Sequence, residues 1–244
     1  MKYDVAVIGC GIVGAAAAYE LSRYNCKVLV LEANNDVANG TTKANSAILH
    51  AGYDPAPHTM MAETNVRGVK LAKELCEKLD VEREEIGSLV LAFGKEDERH
   101  LDMLYRQGLE NGVPGVRLLA ADEVRAMEPN VSEQVTAALY APTAAIVSPW
   151  EFALALVETA VVNGCDLQLS APVTGIDRLE EGYLLHTPKG DFEARYVVNA
   201  AGLHCDKVHE MAGGTGFTVH GVRGEYYIMD KSQGHVVNHV IFQC

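Results

Sequence analysis

The sequence predicts an α/β fold in two discontinuous domains, and three observations carry that prediction. A glycine-rich turn, Gly9–Gly14, joins an apolar strand to a helix; a second apolar strand ends at the acidic Glu32; and beyond residue 80 the chain changes to strands with helical cover. A buried strand, a crossing helix and a second buried strand make a parallel βαβ unit, which is the nucleus of a doubly wound sheet.

The elements follow in order. Asp4–Ile8 (DVAVI) and Lys27–Leu31 (KVLVL) are short apolar runs bounded by turn residues, as buried strands are, and between them Ile12–Arg23 reads as a helix whose Ala15–Ala18 face suits close packing on a sheet. After a small polar loop, Thr59–Leu79 reads as a helix with Val66, Val69, Leu75 and Leu79 near one face. Ile86–Phe93 and Val135–Tyr140 read as strands, Glu96–Asn111 as an amphipathic helix, and ADEVRAMEP as a short helix stopped by Pro129. Ser148-Pro149-Trp150-Glu151 is a helix start, with serine at the N-cap, proline at the first position and glutamate where it closes a capping box. That helix ends at Asn163-Gly164. Strands follow at Asp166–Leu169, Val173–Arg178, Tyr183–Thr187 and Phe192–Val198, and the end of the chain, Phe217–Met229 and Val236–Phe242, also reads as strand.

Composition narrows the function. The 244 residues are 48% hydrophobic and 22% charged, an ordinary globular balance, and the formal charge of −13 argues against nucleic acid, which wants a basic stripe. A small anionic substrate is compatible with it, since a few local cations suffice. No apolar run reaches the ~20 residues of a spanning helix, and MKYDVAVIG is strand from its start, so a cytoplasmic location is expected. The six cysteines form no C-x-x-C, which argues against a disulfide framework, a zinc site or an iron–sulfur cluster within these residues. Cys205 and His209, four apart on a helix, lack a third ligand in the sequence, and His235 and His239 likewise point to no metal.

Gly9-Cys10-Gly11-Ile12-Val13-Gly14 is G-x-G-x-x-G. Its first glycine makes the tight turn, its second admits a pyrophosphate, its third lets helix meet strand, and the helix N-terminus faces the phosphates with unpaired N–H groups. Glu32 follows at about the ~20-residue interval where a carboxylate reaches a ribose diol, with Ala33 beside it. This unit suits NAD or the ADP half of FAD. A nicotinamide enzyme would continue with further strand–helix repeats, whereas this chain turns into Thr41–Asp54, TTKANSAILHAGYD.

The opening motif, that loop and the later YVVNAAG resemble the FAD-dependent oxidoreductases that include D-amino-acid oxidase, sarcosine oxidase and glycerol-3-phosphate dehydrogenase. The resemblance implies a glutathione-reductase-type, Rossmann-like FAD-binding domain over residues 1–80 and 148–215. A substrate domain on a mostly antiparallel sheet would then take residues 81–147 and 216–244. It further implies that Thr41, Thr42, Asn45, Ser46 and Ala47 run along FAD, that His50-Ala51-Gly52 passes beneath the ring system, that Ala200, Ala201 and Gly202 lie near the cofactor, and that Val173 reads the adenine through its backbone.

Taken with IGSLVLAF, ALYAPTAAIVSPWEFALALVETAVVNG, RGEYYIMDK and VNHVIFQ, the chain most resembles the FAD-dependent glycerol-3-phosphate dehydrogenases, with L-2-hydroxyglutarate oxidases as close relatives. Both oxidise a secondary alcohol beside an anionic group. The resemblance implies hydride transfer to the flavin, electrons leaving to a quinone or another carrier, and room for peripheral membrane contact. His50 is then the base, the group that orients the substrate hydroxyl, or a packing residue beneath the flavin, and Arg223 is the candidate partner of the substrate anion. Members of the family continue past the position of Cys244, so the chain is expected to be the N-terminal part of a longer protein, either active or a cofactor-binding remnant.

Overall fold

The computed structural model describes residues 2–244. In chain order its first elements are β1 (Lys2–Ile8), α1 (Ile12–Leu21), β2 (Val28–Leu31), β3 (Ile48–Leu49), α2 (Met60–Leu79), β4 (Arg83–Glu84) and β5 (Ser88–Ala92). Next come α3 (Lys95–Glu110), β6 (Arg117–Ala120), α4 (Ala121–Met127), β7 (Ala137–Ala141), β8 (Ala145–Val147) and α5 (Pro149–Val162). The remainder are β9 (Asp166–Gln168), β10 (Gly175–Leu179), β11 (Gly182–Thr187), β12 (Gly190–Asn199), α6 (Cys205–Met211) and β13 (Val240–Gln243). They divide into two compact units: the chain up to Ser46 with Ser148–Gly224, and Ala47–Val147 with Glu225–Cys244.

The first unit is built on a six-stranded sheet of order β10-β11-β12-β1-β2-β9. β12, β1, β2 and β9 run parallel, and β10, β11 and β12 form an antiparallel meander at one side. All four residues of β2 are buried, as a parallel strand covered on both faces requires. On one face, Ala6, Ile8, Leu29, Leu31, Leu185 and Ala194 make a core with Val208 of α6. α1 buries Gly14, Ala15, Ala18 and Tyr19, and it packs against α5, which buries Phe152, Ala153, Leu156, Val157 and Ala160. At the start of α5 the Ser148 hydroxyl accepts the Glu151 N–H at 3.4 Å and Pro149 opens the helix, the serine and proline of the expected start.

The second unit holds a four-stranded sheet, β13-β5-β7-β6, and a three-stranded one, β3-β8-β4. All their pairings are antiparallel except β13 with β5. α2 is capped by the Thr59 hydroxyl, which accepts the Ala62 N–H at 3.2 Å, and its buried stripe runs Ala62, Ala72, Cys76. Two cores lie on the two faces of β5. Val90 and Ala92 pack with Tyr53, Leu101, Leu104 and Leu139, while Leu89 and Leu91 pack with Leu119, Val124 and Ala138.

Three expectations are corrected. The first concerns residues 47–80, read from sequence with the nucleotide-binding half; they belong to the second unit, because Val66 of α2 packs on the Tyr53–Leu101 core there. The boundary expected at residue 215 falls instead after Gly224, since the Asp206 carboxylate of the first unit accepts the Val219 N–H at 3.1 Å and Phe217 lies 5.0 Å from the His209 ring. Finally, the strand expected over Phe217–Met229 does not form, and that over Val236–Phe242 is confined to Val240–Gln243. Val222, Tyr227 and Ile228 are at least 95% exposed: β propensity needs a neighbouring strand to pack against, and among the described residues this stretch has none. Among the described residues, no helix is long and apolar enough to cross a membrane.

Candidate functional site

In the first unit the glycine turn is locked by close approach. Gly9 has φ +97°, and a β-carbon there would lie 2.5 Å from the Ala200 carbonyl oxygen; one at Gly14 would lie 1.9 Å from the Gly9 carbonyl oxygen. The first glycine is therefore required by the returning β12 segment as much as by the turn, and the third by the contact of helix with strand. Ala200 itself is held to β1 through its N–H, donated to Ile8 O at 2.9 Å. Gly202 follows with φ +55° and opens a short 3₁₀ turn.

A β-carbon at Gly11 would meet the Thr42 hydroxyl oxygen at 2.9 Å. That oxygen accepts the Ile12 N–H at 3.0 Å, so the loop caps the first turn of α1. Val13, the next residue of that turn, is 66% exposed. Asn45 reinforces the loop by donating its side-chain amide to the carbonyls of Thr41 and Thr42, at 3.2 and 2.7 Å. Ser46 ends the first unit, and Ala47, with φ +61°, begins the second.

Glu32, 7% exposed at the end of β2, uses both carboxylate oxygens internally. Oε2 accepts the Cys10 N–H at 2.7 Å; Oε1 accepts the Asn34 N–H at 2.8 Å and its side-chain amide at 3.1 Å. The carboxylate thus ties the glycine turn to the end of the next strand, and Ala33 between them is exposed. Cys10 and Asn34 were not singled out from the sequence; the one usable signal was an amide side chain two residues beyond the acid. Burial, with the Glu32 charge adding to it, pushes the Cys10 thiol up to about 12, so it stays protonated. Val173 is half-buried against the Ile8–Leu185 core, and its neighbours are pinned: Ala171 donates to Glu32 O at 2.8 Å and Thr174 to His186 O at 2.9 Å.

The second unit carries His50. Its ring stacks on Phe242 with centroids 5.5 Å apart and planes 28° apart. The residue keeps an open side to solvent, yet the protein atoms crowding the ring hold its pKa below the ordinary histidine value, with Asp54 pulling the other way. The following loop is fastened by α3. Asn111 donates its amide to Gly52 O and Pro55 O at 2.9 and 2.8 Å, and Gln107 to Asp54 O at 3.1 Å. The small residues of His-Ala-Gly have structural causes of their own: Ala51 is 1% exposed in the core, and a β-carbon at Gly52, φ +105°, would strike Val66 at 2.5 Å.

The structure therefore gathers Gly9, Gly11, Ile12, Gly14, Glu32, Thr42, Asn45 and Ala200 into one cradle within the first unit. Arg223, expected on a strand, stands on an exposed irregular stretch of that unit.

Residues 4–244 match the protein family described as FAD dependent oxidoreductase. The chain belongs to that family. It is 46% identical over 99% of its length to a glycerol 3-phosphate dehydrogenase of Caloramator mitchellensis, and 31% identical over 99% to an L-2-hydroxyglutarate dehydrogenase of Indibacter alkaliphilus. It spans only 50% of the first relative and 61% of the second. Among solved structures, the dithionite-reduced, FAD-bound L-alpha-glycerophosphate oxidase of Mycoplasma pneumoniae superimposes with TM-score 0.86 at 27% identity, over 100% of this chain and 65% of that one. The chemistry of the cradle suits the family's cofactor: the glycine turn, closed tightly on β12 and on its own helix, presents the N-terminus of α1 beside the acidic Glu32.

Proposed function

We propose that this chain is the FAD-holding part of an oxidoreductase that converts glycerol 3-phosphate to dihydroxyacetone phosphate and passes the electrons to a quinone or another carrier. The observation that carries the reading is the 46% identity with the Caloramator dehydrogenase, sustained over 99% of the chain. Bound FAD supplies a hydride acceptor for the carbinol carbon.

The remaining work falls to the chain's own residues. Gly9 and Gly14 let the turn close against β12 and the helix meet its strand. Gly11 lets the backbone come close to the pyrophosphate, and the N–H groups that follow Ile12 at the start of α1 face its charge. Glu32 holds the turn in place while offering an anion near the ribose. Val173 reads the adenine, and Asn45 and Thr42 shape the loop that carries the ribityl chain. His50, whose pKa the crowding of its ring lowers, accepts the substrate hydroxyl proton at an imidazole nitrogen. For the substrate anion we retain Arg223, on the bidentate chemistry of its guanidinium alone.

A second reading, oxidation of an L-2-hydroxy acid, is favoured by the 31% identity with the Indibacter enzyme. An anaerobic absorbance titration of the FAD-loaded chain separates the two. Bleaching by glycerol 3-phosphate and not by L-2-hydroxyglutarate supports the first reading, and the reverse supports the second. A flavin that neither compound bleaches would remove both.

A further inference from the structure

Glu128 is a fully buried carboxylate, 0% exposed, in the loop that follows α4. A buried charge is tolerated only when it is paired and hydrogen-bonded, and every partner of this one comes from a single short segment. Oε1 accepts the Asn238 N–H at 2.7 Å and meets His239 Nδ1 at 2.6 Å, and the Asn238 side-chain amide lies 3.5 Å from Oε2. The grip is extended on both sides. Asn238 also donates to Met127 O at 3.2 Å, Asn130 donates to Val236 O at 2.9 Å, and the His239 ring lies edge-on to Tyr140 at 5.8 Å.

Immediately after this grip the chain enters β13, which pairs in parallel with β5, Val240 opposite Ser88 and Phe242 opposite Val90. Successive side chains of a strand point to opposite faces, so a slip of one residue exchanges the faces. Here Ile241 packs on the Leu89–Leu119 core and Phe242 on the Tyr53–Leu101 core, where it stacks against His50. A register one residue out would turn Phe242 away from His50.

We propose that Glu128 is a positioning residue for His50: by gripping Asn238 and His239 it fixes the register of β13, and that register seats Phe242 against the imidazole. Glu128 touches neither cofactor nor substrate in this scheme; it acts through four residues of backbone. The proposal rests on the reading of His50 as the group that takes the hydroxyl proton.

The test is a side-chain NMR titration of His50 in the 244-residue chain, its signal assigned through His50→Gln, for wild type, Glu128→Ala, Glu128→Gln and Phe242→Leu. Loosening the stack uncovers the ring, so Phe242→Leu and Glu128→Ala should both move the His50 midpoint upward toward the ordinary histidine value. Glu128→Gln keeps an acceptor for the Asn238 N–H and should restore most of the wild-type signal. Where Glu128→Ala does not fold, His239→Ala removes the other side of the grip and gives the same readout. With FAD loaded, the folded variants should bleach more slowly, on the order of tenfold, at unchanged flavin affinity, as a small misplacement of a reacting group does. A His50 signal that moves in Phe242→Leu but stays at its wild-type position in folded Glu128→Ala overturns the proposal, as does one that moves in neither. The midpoint is read without turnover. A wild-type flavin that no substrate bleaches therefore sinks the functional reading separately.

Discussion

The Thr42 hydroxyl oxygen accepts the Ile12 N–H at 3.0 Å, so a residue from the loop after β2 caps the helix that the glycine turn opens. The cap does two things at once. It satisfies one of the unpaired N–H groups of α1, and it fastens the loop where the resemblance lays it along the cofactor. Thr42→Val keeps the shape and removes the acceptor. It should cost about 1 kcal/mol, as lost N-caps do, and weaken FAD binding, while Thr42→Ser should retain both. Urea unfolding and flavin titration, run side by side, read the two effects; a Thr42→Val chain as stable as wild type would show the bond to be idle.

Gly9→Ala brings a methyl group to within 2.5 Å of the Ala200 carbonyl at a backbone angle of +97°. Strain and overpacking together should destabilise the first unit by roughly 3 kcal/mol. Gly40→Ala is the control, since nothing lies within 4 Å of its added carbon. If both variants unfold at the wild-type urea concentration, the close approach of β12 to the turn is not what the geometry says.

His50→Asn should leave the flavin spectrum of the loaded chain intact and slow its reduction by about a hundredfold or more, the usual span for a lost general base. In wild type the reduction rate should fall as pH drops through the His50 midpoint, which lies below the ordinary ~6.5. Stopped-flow bleaching across that range checks it, and a pH profile that survives His50→Asn would assign the proton to another group.

His186 lies between two carboxylates, Nε2 at 3.0 Å from Asp177 and Nδ1 at 2.9 Å from Asp191. Its bonds to Asp177 and Asp191 raise its pKa, against a smaller opposing effect of burial. A histidine that binds its proton more tightly when folded contributes stability that is complete below its unfolded pKa, ~6.5, and is lost as pH rises through the raised folded value. Thermal midpoints of wild type should therefore decline over that window, and His186→Asn should flatten the decline. Equal slopes in the two proteins would mean that the clamp is not charged.

The βαβ unit was legible because local signals and long-range structure agree there. DVAVI and KVLVL are buried strands in both readings, and the glycines fall where the chain crosses itself. The return of YVVNAAG beside β1 was legible only through resemblance, since nothing in an apolar strand names its partner. β6 went unread: it has four residues, and Leu119 alone of them is buried, too little for a period. The helix Thr59–Leu79 was recognised by its stripe, but a stripe says that a helix covers something, not which core it covers. Phe217–Met229 was misread for the converse reason: its residues favour a pleated surface, but no strand among the described residues pairs with them. The close approaches at Gly9 and Gly14 and the bonds of Glu32 and Thr42 fall on residues that the sequence pattern singles out, whereas Glu128 gives no warning in the sequence, because a carboxylate in a loop is ordinarily solvated.

In the first unit β1, paired early with β2, finds its second neighbour only when Glu193–Asn199 arrive, and in the second β5 receives its parallel partner only with Val240–Gln243. Pairings between such distant residues must close long loops before they return any stabilisation, which slows folding and prolongs exposure of open strand edges. During synthesis both sheets therefore wait, β1 and β5 each lacking one neighbour while the intervening chain emerges from the ribosome. This protein should consequently depend on holdase chaperones early in its life, and a pulse of protease during translation should cut it far more readily than the finished chain.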